Sequence, residues 1–364
     1  MSTYGSQLPL TLTLSPQAGR GDTQAPNLPL PTAGNGWTWG SCLPIKQRPP
    51  SSPALHPMRA TDWLLLVFLS VLWGATFFFI AVASPEVPPL TLVLSRVAIA
   101  AVALLPLVFL VGLRLPATLD GWQPFIVQAI INNVVPFTLM VYGQQRIASG
   151  LAAVLNATTP LFTLIVARLF AGEALTASKV AGVLLGVAGV GILVGPDALG
   201  ANASSVIGMM CILGGTLSYA LSALWMRRLR HIPPLVSSAA QLTCSSVMLL
   251  PMAAAMDRFW LLPVPGTPAI LAVLGLALVS TALAYIVFFR VSASAGPANV
   301  MLVTLMIPVT AAALGVLVLG ETLTVNQIAG ALVIASGLVV IDGRVLRRRV
   351  GWVKRSADPT SPRV

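Results

Sequence analysis

Charge is scarce in this chain: Asp, Glu, Lys and Arg make up 9% of its 364 residues. Soluble globular domains carry roughly 25%, so a water-facing surface is excluded and most of the chain must face lipid. Cysteine is rare as well. Cys42, Cys211 and Cys244 have no metal-ligand spacing, and two of them sit in apolar runs, which excludes a disulfide framework and a zinc site. The two histidines, His56 and His231, lie outside the apolar runs, so a buried histidine site is excluded. No HExxH, paired buried carboxylates or Ser/His/Asp set appears, and the Gly-rich runs lack a P-loop lysine. No catalytic residue, metal or cofactor is therefore expected. Acid is absent from mid-span positions, so no buried carboxylate proton relay is visible.

What fills the chain instead is apolar sequence, 56% of it. A membrane-spanning helix takes about 20 apolar residues. Ten runs qualify: 62–83, 89–113, 122–145, 149–171, 176–195, 205–226, 235–256, 267–290, 296–319 and 324–342. Backbone polar groups in lipid must be satisfied within their own segment, and the alternation of an outer-membrane barrel is missing. The expected class is an all-α integral membrane protein of ten transmembrane helices.

The net charge of +11 sits where such a topology wants it. With a cytoplasmic N-terminus, 14 basic residues of the inner connections and C-terminal tail stand against Arg146 and Arg258 outside. The positive-inside rule puts both termini in the cytoplasm of a cell inner (plasma) membrane. The excess of base is thus a topology signal rather than a nucleic-acid footprint. Residues 343–364 form a basic cytoplasmic tail beside anionic lipid. Residues 1–57 hold ten prolines and four charges and read as a disordered extension. They lack the apolar run of a signal peptide, and Met58 is a natural alternative start.

The phrase GEALTASKVAG at 172–182 returns as GETLTVNQIAG at 320–330, 148 residues on. Residues 150–190 align with 298–338 without a gap, sharing Pro160/Pro308, Leu169/Leu317, Gly172/Gly320, Glu173/Glu321, Gly182/Gly330 and Gly189/Gly337. Two halves follow, 58–195 and 204–342, of five helices each. Five is odd, so the second half enters from the opposite face and the repeats are inverted. Inverted repeats supply inward-open and outward-open states from one fold.

The doubled GE-x-LT-x(5)-G phrase resembles the EamA type of the drug/metabolite transporter superfamily. VLWGATFFFIAVA at 71–83, LSRVAIAAVALLP at 94–106 and SYALSALWMRRL at 218–229 carry the same resemblance, which covers about residues 62–342. It implies a permease that moves small organic solutes by alternating access, with export of an amino acid or metabolite as the leading substrate class. Two rivals stand beside it: a sensor or scaffold with a transporter fold, and a membrane enzyme acting on lipid.

Three prolines, Pro136, Pro160 and Pro308, each follow a polar residue by four: Asn132, Asn156 and Thr304. Proline has no N–H, so each frees the carbonyl of that polar residue and kinks the helix. Such carbonyls face protein, water or ligand. A substrate lining and a kink healed by neighbouring side chains are both open readings. Asn133 extends the polar pair. Trp73, Tyr219 and Tyr285 lie inside runs and offer a cavity wall or ordinary packing. Asn299 binds solute or caps a helix. Arg96 is the one charge well inside a span, a candidate anion contact or gate, or a side chain reaching for the surface. Glu173 and Glu321 are candidate gate residues or favourable charges at helix N-termini. Small-residue stripes such as 182–191 let helices approach closely and fit core packing or a homodimer contact. The expected partners are a small-molecule substrate and the lipid bilayer.

Overall fold

Arg59 and Asp62 set the first helix: the Arg59 N–H reaches the Asp62 carboxylate at 3.0 Å, and α1 (Ala60–Ala83) follows. A computed structural model of the protein describes residues 59–200, 203–295, 300 and 302–342. The 1–57 extension, the basic tail and Asn299 lie outside the described residues. The other helices are α2 (Pro89–Leu110), α3 (Leu119–Gln144), α4 (Ser149–Ala171), α5 (Ala177–Ile192), α6 (Ala203–Met226), α7 (Pro234–Met256), α8 (Thr267–Ser292), α9 (Val303–Leu319) and α10 (Val325–Asp342). Seven of them are long and apolar enough to cross a membrane, and α5, α9 and α10 are shorter apolar helices. No strand occurs among the described residues.

The outward faces are apolar. Leu64 is 70% exposed, Leu184 65% and Leu317 82%, as suits a surface solvated by hydrocarbon. Inside, Tyr219 of α6 packs against two of the buried apolar clusters.

Packing is arranged in exchangeable pairs. α5 lies against α10 and α2 against α7. The α1–α9 contact has its counterpart in α6–α4, the α3–α6 contact in α8–α1, and the α2–α8 contact in α7–α3. Exchanging every helix for its equivalent in the other half turns one contact of each pair into the other. Glycines settle how α5 meets α10. A Cβ on Gly182 would come 2.6 Å from the Gly337 carbonyl, and one on Gly189 2.9 Å from the Gly330 carbonyl. Gly182 and Gly330 are equivalent in the repeat, as are Gly189 and Gly337, so the two contacts are exchange images. Their order shows α5 and α10 antiparallel. A two-fold axis that exchanges antiparallel helices runs perpendicular to them. The repeated small residues are thus used for backbone approach within the chain.

The repeated phrase forms the same corner twice. Gly172 (φ 65°) and Gly320 (φ 68°) end α4 and α9 in the left-handed conformation. At the second corner Thr324 and Gln327 cap α10 reciprocally.

Three helices depart from regular α geometry. α3 widens to a π-helix over Ile130–Val134, and α8 does so over Gly275–Leu283, the equivalent stretch. α4, in which Pro160 was expected to kink the helix, is interrupted at Ala157–Thr158, between Asn156 and Pro160. Thr158 and Thr159 hydroxyls take up the carbonyls of Leu155 and Asn156 at 2.6 and 2.7 Å. The break arises because Pro160 removes a helical donor and threonine hydroxyls replace it.

Candidate functional site

The π-helix in α3 turns Asn132 and Asn133 toward α6 and α7. Asn132 is the node of a polar cluster. Its Nδ2 donates to Gln241 Oε1 of α7 at 3.0 Å and to the Tyr285 hydroxyl of α8 at 3.4 Å. Its Oδ1 accepts from the Ser222 hydroxyl of α6 at 2.7 Å. Gln128 donates to Ser222 at 2.9 Å, Asn133 to Ser245 of α7 at 2.9 Å, and Ser218 to the Ile131 carbonyl at 2.7 Å. Every donor–acceptor pair here joins α3 to a helix of the second half. Gln128, Asn133, Gln241 and Ser245 are buried, while Asn132 and Tyr285 keep some exposure. Buried amides and hydroxyls tolerate such a place only when hydrogen-bonded. A partly exposed amide at the node can exchange a protein partner for a solute.

Aromatic rings wall the cluster. Tyr285 stacks on Phe289 with centroids 6.1 Å apart, Phe289 meets Phe288 edge-on at 5.3 Å, and Phe288 lies 5.5 Å from Trp73. Tyr219 meets Phe137 edge-on at 6.4 Å, and its hydroxyl reaches the Met140 sulfur. Arg96 of α2 is buried next to this wall. Its guanidinium lies 3.7 Å over the Phe137 ring, and its Nε donates to Thr281 Oγ1 at 2.9 Å.

Sequence had pointed to several of these groups, and the structure brings Asn132, Asn133, Tyr285, Tyr219, Trp73 and Arg96 into one region. Pro136 follows the π-helix in the first turn of its next α segment. Asn156 ends the first part of α4, its carbonyl held by Thr159 and its buried Oδ1 without a hydrogen-bond partner among the described residues. Thr304 lies in the first turn of α9, and Pro308 inside that helix borders an apolar groove of about 230 Å³ with Gly150 and Ala331. Asn156 and Thr304 stand on α4 and α9, not on the helices that carry the Asn132 cluster.

The glutamates stand at the bundle's ends. Glu173 pairs with Arg227 across the halves at 2.6 Å. Glu321 accepts from the Ser149 and Gly150 N–H groups at 2.8 and 3.1 Å, capping α4. Ser149 and Glu321 border a pocket of about 410 Å³ with Ser84, Gln144 and Gln145. Two further carboxylates act likewise at that end. Asp257 accepts from Thr91 N–H and Oγ1 at 2.7 and 2.8 Å, and Glu86 accepts from the Gly266 N–H that opens α8. All three caps join one half to the other.

Gln128, Ser222, Gln241, Ser245, Phe137 and Thr281 were missed by sequence reasoning. A signal existed. Pro88-Pro89-Leu90 and Pro106 in α2 recur as Pro233-Pro234-Leu235 and Pro251 in α7, 145 residues later in each case. That register equates Arg96 with Gln241. The 148-residue register equates Asn133 with Thr281 and Phe137 with Tyr285.

The model of the EamA-like transporter family matches twice, at residues 61–195 and 206–342. The transporter YoaV of Bacillus subtilis is 26% identical over 78% of this chain and 98% of its own length. The inner membrane transporter YedA of Escherichia coli is 28% identical over 77% and 90%. A probable amino-acid metabolite efflux pump of Salmonella typhimurium is 26% identical over 78% and 95%. One crystal structure shares the fold with a TM-score of 0.57 at 20% identity, covering 80% of this chain and 99% of that one.

Proposed function

We propose, from the premise that this chain belongs to the EamA-like transporter family, that it moves a small organic solute by alternating access at the α3–α6–α7–α8 seam. It is a multi-pass membrane transporter of the inner-membrane type. In the proposed arrangement ten helices cross the bilayer as two inverted halves, 58–195 and 204–342, with both termini cytoplasmic. The antiparallel, exchangeable contact of α5 with α10 supports the inversion.

The observation that carries the proposal is the Asn132 cluster. A polar node in a bundle facing hydrocarbon sits where the halves meet, and its bonds run from one half to the other. Rocking one half against the other must break those bonds, and a bound solute can take their place. The node is therefore both a lining and a coupling element.

The carboxylates of Glu86, Asp257 and Glu321 act as the ties of one gate, which by the expected topology is the outer one. Each sits at a helix N-terminus, where a negative charge gains about 0.3–1 kcal/mol. Three such ties hold a face shut without fixing it. The likeness to an amino-acid metabolite efflux pump supports an amino acid or related metabolite as cargo, and export as its direction.

Counterflow in proteoliposomes tests this. Purified protein loaded with unlabelled amino acids should accumulate the labelled one saturably, and Asn132→Leu should abolish most of the flux. Absence of flux across a broad amino-acid and metabolite panel would instead favour a non-transporting sensor.

A further inference from the structure

Arg96 is 6% exposed, and its one hydrogen bond among the described residues goes from Nε to Thr281 Oγ1. Its guanidinium carbon lies over the Phe137 ring, and among the described residues its terminal nitrogens have no hydrogen-bond partner. Among the described residues no carboxylate pairs with it. Asp62, Glu86, Asp120, Glu173, Asp257 and Glu321 all lie at helix ends or in connections, and the one described ion pair is Glu173–Arg227. A buried charge is ordinarily paired. Here the cation stands without an anion among the described residues.

The repeat shows that the fold does not need a charge at this corner. Gln241 occupies the equivalent place in α7 and contacts Asn132 of α3, as Arg96 of α2 contacts Thr281 of α8. Both partners, Asn132 and Thr281, lie in π-helical stretches, which recur at functional sites. A neutral amide serves one corner while the other carries an unpaired guanidinium.

We propose that Arg96 receives the carboxylate of the transported solute, making this a site for organic acids with an apolar or aromatic body. The inference rests on the transport reading above. The guanidinium offers two parallel donors to a carboxylate. Thr281 and Tyr285 lie one turn apart on α8, so the anion point adjoins the Asn132 node. Phe137, Tyr219 and Tyr285 receive the apolar part. A zwitterionic amino acid fits if its ammonium meets Asn132 Oδ1 or an aromatic face.

Thermal unfolding of the full chain in neutral detergent tests the charge rule. The probes are phenylalanine, leucine and their 2-oxo acids, the matched amides and amines, and, separately, phosphatidylglycerol. Acids should raise the melting temperature at concentrations at least tenfold lower than amides or amines. Arg96→Gln, which installs the residue of the equivalent corner, should erase that preference and weaken acid binding at least tenfold. Arg96→Lys should keep the preference at reduced affinity, and it serves as the reporter should Arg96→Gln not fold. Equal response to acids and amides, an unchanged Arg96→Gln, no response to any acid, or a response to phosphatidylglycerol alone would overturn the proposal. Saturable counterflow of an uncharged probe would leave transport standing while the anion site falls.

Discussion

At the scale of single residues, hydrogen-bond stranding decides what matters. Asn132→Leu removes a donor and an acceptor and leaves Ser222 and Gln241 with unmet groups. Each stranded buried group costs about 1–3 kcal/mol. The expected outcome is a loss of flux of at least tenfold and a lowered melting temperature. Tyr285→Phe removes one long bond at 3.4 Å and should change flux by no more than a few fold. Counterflow and unfolding of both variants, side by side, check the order.

Sequence exposed Asn132, Asn133 and Arg96 because amide and charge stand out in an apolar run. It hid Ser222 and Ser245, because serine is unremarkable in a membrane helix whose neighbours decide whether it bonds. It hid Gln241 because its importance comes from partners on α3. The proline register that equates it with Arg96 spans 145 residues and only three kinds of identity, a weak mark among 29 prolines.

At the scale of helices, two devices shape the bundle. Gly182 and Gly337 bring the α5 and α10 backbones together, each carbonyl 2.6–2.7 Å from where the other's Cβ would stand. Gly182→Val should lower stability by about 1–3 kcal/mol through overpacking, whereas Gly191→Ala, with nothing within 4 Å, should not. Melting temperatures of the two purified variants test the contrast. The second device is the set of carboxylate caps. The triple variant Glu86→Gln, Asp257→Asn, Glu321→Gln should loosen that end of the bundle. A cysteine placed at Ser149 should then react with a soluble maleimide several times faster than in the parent. An unchanged rate would remove the caps from the gate.

Apart from the start of α9, expected at 296 and found at Val303, helix positions were legible within a few residues, since apolar length is a direct demand of the bilayer. The break at Ala157–Thr158 was foreshadowed by Pro160. The π-helical stretches were not, because in an all-apolar run no polar stripe records the change from 3.6 residues per turn. Their equivalence in α3 and α8 emerges only from the folded chain.

At the scale of the whole molecule, the proposed arrangement turns on an odd number of crossings per half. Under it, the repeated GE-x-LT corner stands once on each side of the membrane. The same proposal lets one fold open toward either side, with the polar node between halves as the shared path. The duplicated phrase made the halves visible in sequence. Their meeting at Asn132 was not visible, because contacts between distant helices leave no local pattern.

Single cysteines at the equivalent positions Ser178 and Asn326, in a background lacking the native thiols, test inversion most directly. An impermeant maleimide applied to intact cells should label Asn326→Cys, while Ser178→Cys should react only after permeabilisation. Labelling of both from the same side would contradict the inverted arrangement.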